Sequence, residues 1–243
     1  MVVSRNISEH ESLGLASIFG LQLVPKHDKY LGLLTIIGKS RAELFQSIKD
    51  GVWNRIHGWN AKLLSQAERE VLIKAVLQAI PMYIMSCFQL PDYFLRDIER
   101  MISDFWWHNK RERHTHWVGG KRLCLSKDEG GMGFREMIAF NRAMLTKQGW
   151  RLLTRPDSLF TQVLKAKYFP RKSFFRAEVG PRPSLTWRSI VSAKELLKIG
   201  CRWRIGSGQS VRIWGNNWLP KQKGFKVTSA PRVLGPNPTV SAC

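Results

Sequence analysis

With 243 residues, 44% of them hydrophobic and ten of them tryptophan, the chain can bury the core of one large domain or two small ones. Its formal charge of +21, from 39 Lys and Arg against 18 Asp and Glu, points to a polyanionic partner and says nothing direct about fold. The scattered Cys87, Cys124, Cys201 and Cys243 form no C-x-x-C pair, which argues against a disulfide framework or a tetrahedral zinc site and for reduced thiols in an intracellular protein, nuclear or cytoplasmic.

Helical periodicity appears first in "RAELFQSIKDGVWNRIHGW", where Leu44, Ile48, Val52 and Ile56 recur every fourth residue and Gly58 closes the run. "AKLLSQAEREVLIKAVLQAI" follows. Ser65 and Glu68 have the spacing of a capping box, Gln66, Glu70, Lys74 and Gln78 form a narrow polar stripe, and Pro81 ends the helix. After Pro91, "DYFLRDIERMISDFWWHNK" is helical through Phe94, Ile98, Met101, Ile102 and Phe105. A polar crossing around residues 108–117 and the glycine-rich "SKDEGGMGF" separate it from "AFNRAMLTKQGWRLL", which ends near Arg155 because Pro156 disfavours helical geometry before it. Asp157 can cap "SLFTQVLKAKYF", with Phe160, Val163, Leu164 and Tyr168 as its apolar face, and "SLTWRSIVSAKELLKIG" closes at Gly200. Residues 1–20 show no signal pattern, and the most apolar window, residues 75–88, is too short to span a bilayer, so no membrane is expected.

"CRWRIGSGQSVRIWGNNWLP" alternates on both sides of Gly206-Ser207-Gly208: Trp203, Ile205, Val211 and Ile213 fall on one face, Arg202, Arg204 and Arg212 on the other. That pattern predicts a β-hairpin over 201–214. A phosphate-cradling loop would need a preceding buried strand, a lysine at fixed spacing and a following helix, and none of these is present. "GGMG" likewise lacks a dinucleotide fingerprint and reads as a mobile turn. His108, His114, His116 and Cys124 lack the paired spacing of zinc ligands, and no carboxylate cluster suits two-metal chemistry. No catalytic residue, metal, cofactor or small-molecule substrate is expected. The fold expectation is mainly α with a C-terminal hairpin.

The charge is unevenly distributed. Residues 1–100 carry 12 basic and 10 acidic side chains, whereas residues 101–226 carry 26 and 8. Lys147, Arg151 and Arg155 repeat along one helix edge, and Lys165, Lys167, Arg202, Arg204 and Arg212 extend the supply. Side chains of this kind gain affinity for phosphate backbones through counterion release. Trp150, Trp187, Trp214 and Trp218 are the candidates for stacking on bases.

The ordered motifs "KYLGLLTIIGKS", "GWNAKLLSQAEREVLIKAVLQAIPMYIMSCFQLP", "FWWHNK", "HWVGGKRLC", "EGGMGFREM", "AFNRAMLTKQGWRLL", "LKAKYFP", "TWRSIVSAKELLKIG" and "WRIGSGQSVRIWGNNWLP", spanning about Ser4 to Pro220, resemble the reverse transcriptase of plant non-LTR (LINE-type) retrotransposons. Leu34 stands where that family commonly has proline, and Asn216-Asn217 where Asp-Pro is common, departures that fit a decayed copy. The resemblance implies that residues 1–35 are the end of the palm, 36–108 a helical thumb-like bundle and 109–220 a basic connector ending in the hairpin; residues 221–243, with Pro231, Pro236 and Pro238 and little periodicity, read as a disordered tail. The family is an RNA-directed DNA polymerase whose palm aspartates have no counterpart here. The expected protein is therefore a truncated reverse transcriptase-like chain that binds RNA or an RNA–DNA hybrid without polymerase activity of its own. The alternatives are a nucleic-acid-binding or interaction protein adopted from a retroelement, and a relic without function.

Overall fold

The computed structural model describes residues 7–23, 29–30, 33–34, 41–59, 63–107, 118–220, 223–228 and 238–242, and these are mainly α-helical. They belong to two compact units, Met1–Ser65 and Gln66–Cys243.

The first unit holds α1 (Glu9–Phe19), a two-residue antiparallel pairing of β1 (Lys29–Tyr30) with β2 (Leu33–Leu34), and α2 (Arg41–Gly58). Ser8-x-x-Glu11, a capping-box spacing, starts α1. The Glu11 amide donates to Ser8 Oγ at 3.3 Å and the Ser8 amide donates back to Glu11 Oε2 at 3.2 Å. Gly20, at φ 62°, closes α1 in the left-handed conformation. In α2 the fourfold repeat behaves as expected, burying Leu44, Ile48 and Val52.

The second unit starts with α3 (Gln66–Leu72). The expected uninterrupted helix to Ile80 instead widens into a π-turn over Ile73–Leu77, where the Gln78 amide donates five residues back to the Ile73 carbonyl at 3.0 Å. Pro81 has no N–H to donate, but its carbonyl accepts from the Met85 amide at 2.9 Å and so begins α4 (Met82–Cys87). The strongly amphipathic α5 (Asp92–Trp106) buries Phe94, Leu95, Ile98, Ile102, Phe105 and Trp106.

After the one-turn α6 (Gly120–Leu123), "SKDEGGMGF" is a hydrogen-bonded loop. Its Gly131 and Gly133 amides donate to the Ser126 and Leu125 carbonyls at 2.9 and 2.7 Å, and Lys127 pairs with Glu70 at 2.8 Å. Gly131 is required, since a Cβ there would collide with the Leu125 carbonyl.

The central element is α7 (Met137–Thr154), which packs against α4 and α5 and against three later helices, α8 (Leu159–Tyr168), α9 (Leu185–Ser192) and α10 (Lys194–Gly200). Its buried face runs Met137, Asn141, Leu145, Gly149, Leu152. Asn141, 2% exposed, donates to the Met85 and Phe88 carbonyls at 2.8 and 2.9 Å and accepts from the Leu90 amide at 2.9 Å. Ser189 on α9 takes the next amide, that of Gln89, at 2.9 Å. Two side chains thereby satisfy the backbone where α4 ends, as buried polar groups require.

Beyond α7 the core is aromatic. Trp187, 0% exposed, stacks on Tyr168 and Phe169 at 4.7 and 5.4 Å, meets Phe174 edge-on, and donates its indole N–H to the Glu178 carbonyl at 3.2 Å.

Two sequence expectations need correction here. The cap of α8 is Ser158, which accepts from the Thr161 amide; Phe160, Thr161, Leu164 and Tyr168 turn inward or lie half-buried, while Val163 faces solvent at 54% exposure. The hairpin over 201–214 is not the arrangement found. Val211 and Ile213 are buried as expected, but they pair with the end of the chain: the Val240 amide donates to the Val211 carbonyl at 2.8 Å and the Ile213 amide to the Pro238 carbonyl at 3.2 Å. Gly208, at φ 74°, lets Ser241 approach where a side chain would clash. The Trp203 amide turns instead to the Asn217 carbonyl at 2.6 Å, and the Trp203 and Ile205 side chains are left exposed.

Candidate nucleic-acid interface

The amphipathicity that buries one side of α7 fixes what the other side presents. At 100° per residue, Lys147, Trp150, Arg151 and Thr154 fall within one exposed arc, with Arg155 at its edge. The Arg151 guanidinium lies 5.3 Å over the Phe160 ring of α8, so its stem is held against the next helix. Arg155 is the C-terminal cap residue of α7. On α8, Lys165 and Lys167 are exposed in the last turn, where cations are favoured, and the Lys167 ammonium sits 5.4 Å over the Tyr168 ring.

None of Lys147, Arg151, Arg155, Lys165 and Lys167 makes an ion pair among the described residues, whereas Lys74, Lys127, Arg100, Lys172 and Lys198 do. The sequence explains the difference. From Met137 to Ala177 there are nine Lys and Arg and a single acid, Asp157.

Arg202, Arg204 and Arg212 are exposed, but they do not line one strand face. Arg202 lies 5.9 Å over the Phe225 ring, and the Arg212 amide donates to Asn216 Oδ1 at 2.7 Å beside an isolated bridge to Thr239. Of the four tryptophans considered for stacking, Trp187 is sealed in the core and the half-buried Trp218 donates its indole N–H to the Ile213 carbonyl at 2.9 Å, while Trp150 is 49% exposed.

A cleft of about 460 Å³ in the same unit, between α5, α6 and the start of α7, had no clear signal in the sequence. Its lining mixes Arg96, Lys121 and Arg135 with Glu99 and Glu136, and includes Cys124 and the 2% exposed Gln78 that follows the π-turn. Glu99 Oε1 accepts from the Met137 amide at 2.7 Å and so caps α7 from another helix. Burial, and secondarily the Glu136 charge, push the Glu99 carboxyl above its usual range. Burial and the same two carboxylates push the Cys124 thiol up to about 11. A thiol so far from ionisation at neutral pH is a poor nucleophile.

Among the described residues no three His, Cys, Asp or Glu side chains gather to hold a metal; His108, His114 and His116 lie outside those residues. No described helix is long and apolar enough to cross a membrane.

Comparison with known proteins places this geometry in a lineage. No family model matches the chain. It is 37% identical over 182 residues to a protein of Arabidopsis thaliana named as a ribonuclease H protein, At1g65750, and 30% identical over 108 residues to the Transposon TX1 uncharacterized 149 kDa protein of Xenopus laevis. These alignments cover 73% and 43% of this chain but only 29% and 8% of those two proteins. Against the uncharacterized mitochondrial protein AtMg00310 of Arabidopsis thaliana the identity is 39% over 143 residues, 58% of this chain and 93% of that relative. The chain belongs to the same family as AtMg00310, and its similarity extends to a protein named as part of a transposon.

Proposed function

We propose that the protein is a retroelement-derived nucleic-acid-binding protein that grips the sugar–phosphate backbone of RNA or an RNA–DNA duplex through the outer faces of α7 and α8. The observation that carries this reading is the set of exposed cations, Lys147, Arg151, Arg155, Lys165 and Lys167, that no acid of the described fold neutralises. Cations left in water beside one another repel, and a folded protein gains nothing from them. A phosphate strand reverses the sign of that interaction and releases its counterions.

Arg202, Arg204 and Arg212 stand on a separate, irregular segment and extend the basic surface without forming its centre. The reading assigns binding and no chemistry: Cys124 is held protonated, and polymerase activity of the purified chain would overturn it. Supporting the lineage, the reverse transcriptase resemblance of the motifs agrees with transposon and ribonuclease H names among the relatives.

One comparison favours a second reading, an interaction protein adopted from a retroelement: AtMg00310 is almost wholly covered by this chain, so this stretch occurs elsewhere with little else attached.

The test is affinity for an RNA–DNA hybrid across a salt series. Log K should fall linearly with log salt, with a slope of about −0.9 for each phosphate neutralised, and reversing Lys147 and Arg151 to glutamate should shallow the slope by about 2. No binding at low salt, or a slope near zero, breaks the reading and leaves the adopted interaction protein in its place.

A further inference from the structure

Phosphate contacts account for the cations of α7 but not for the tryptophan among them. Trp150 lies on the exposed side one turn from Lys147 and next in sequence to Arg151, 49% exposed, on a helix whose opposite side is locked by Met137, Asn141, Leu145 and Leu152. Among the described residues its ring has no aromatic partner, its indole N–H has no acceptor, and the neighbouring Arg151 is placed over Phe160 instead. Trp187, by contrast, has three aromatic neighbours and a hydrogen bond. The indole of Trp150 is therefore presented on a rigid scaffold with two cations nearby on the same helix, and little ordering cost remains to be met when a ligand arrives.

A duplex hides the faces of its bases in the stack and offers this ring only its backbone. An unpaired strand offers both of the things α7 displays: phosphates for Lys147 and Arg151, and a base face for the indole. We infer that the exposed face of α7 is a stacking site for single-stranded nucleic acid, with one unpaired base on Trp150 and the flanking phosphates on Lys147 and Arg151. Base identity is not read, because every base has a π-face. This inference rests on the nucleic-acid-binding reading above and narrows it from duplex to unpaired strand at this site.

The experiment uses the full chain and two labelled probes of equal length, an oligouridylate and an RNA–DNA hybrid, with affinities read by fluorescence anisotropy at low salt. Trp150→Ala should weaken the oligouridylate by about 5- to 150-fold, the span expected for losing one base–aromatic stack, and leave the hybrid unchanged. Trp150→Phe, which keeps a ring, should recover most of the loss and shows that the alanine variant has not merely misfolded. Lys147→Glu with Arg151→Glu should weaken both probes. If Trp150→Ala moves both probes alike or neither, or Trp150→Phe is no better than alanine, the stacking site is wrong while the phosphate-binding reading stands. If the wild-type chain binds neither probe, both are wrong.

Discussion

The two sides of α7 follow opposite rules. On the inner side every polar group is answered within the fold: Asn141 makes three hydrogen bonds, and Gly149 leaves room for Phe174, whose ring would lie 3.2 Å from an added Cβ. On the outer side Lys147, Trp150, Arg151 and Arg155 have almost nothing answering their side chains among the described residues, apart from the Phe160 ring under Arg151. One helix thus carries structural satisfaction on one side and unspent interactions on the other. Substitutions on the inside should change stability, and substitutions on the outside should change what the protein holds.

The largest expected effect is inside, at Trp187. Trp187→Ala removes three ring contacts and an indole hydrogen bond from a site with no solvent access, and should destabilise the second unit by about 3–5 kcal/mol in urea unfolding. A loss below about 1 kcal/mol would mean that the aromatic cluster is not the centre of the fold.

Next comes Asn141→Ala, which strands the Leu90 amide and the Met85 and Phe88 carbonyls. About 3 kcal/mol is expected, since each buried unsatisfied group costs about 1–3 kcal/mol and the three share one cavity. Under conditions where this variant is still folded, its affinity for a nucleic acid should equal the wild type's. A variant that stays stable but loses binding would erase the division between the two sides.

Much of that division is legible in the sequence. The repeat Met137, Asn141, Leu145, Gly149 marks one side of α7, and an asparagine in an apolar register is itself the sign of a buried polar clamp. Lys147, Arg151 and Arg155 mark the other side by the same spacing. What periodicity cannot supply is the partner. Val163 and Leu164 are equally apolar, and only the packing of α8 onto its neighbours decides that Leu164 is covered and Val163 is not.

The stretch around Gly208 shows the same limit over a longer distance. Its alternation correctly marks Val211 and Ile213 as buried, but local reading pairs them with the segment just before, whereas their backbone partners are Pro238 and Val240. Pairings between distant segments leave no local trace in the pattern. The cleft is less legible still, since Gln78, Glu99 and Cys124 come from three separate elements and each looks unremarkable in its own.

Glu99 gives the finest test of the inner side, because there a carboxyl of α5 meets the start of α7. Its hydrogen bond from the Met137 amide and the Arg96 charge favour the carboxylate, but burial outweighs both and Glu136 adds to the cost, so the folded chain holds Glu99 above the usual carboxylate range. A group whose pKa is raised on folding favours the fold below its unfolded pKa and loses that contribution as pH rises through the folded value. At neutral pH the raised value is therefore a cost to stability. Glu99→Gln keeps an oxygen for the Met137 amide and removes the charge, so the variant should unfold at a higher urea concentration than the wild type at pH 7. The gap should close as pH falls past the ordinary carboxylate range, where Glu99 is neutral in both the folded and unfolded chain. Glu11, Glu70 and Glu195, whose pKa values are lowered by their hydrogen-bond partners, act in the opposite sense but are common to both proteins and cancel in the comparison. A gap that persists or widens in acid would mean that Glu99 acts on α7 through its shape rather than its charge, and the inner side would then contain no electrostatic exception.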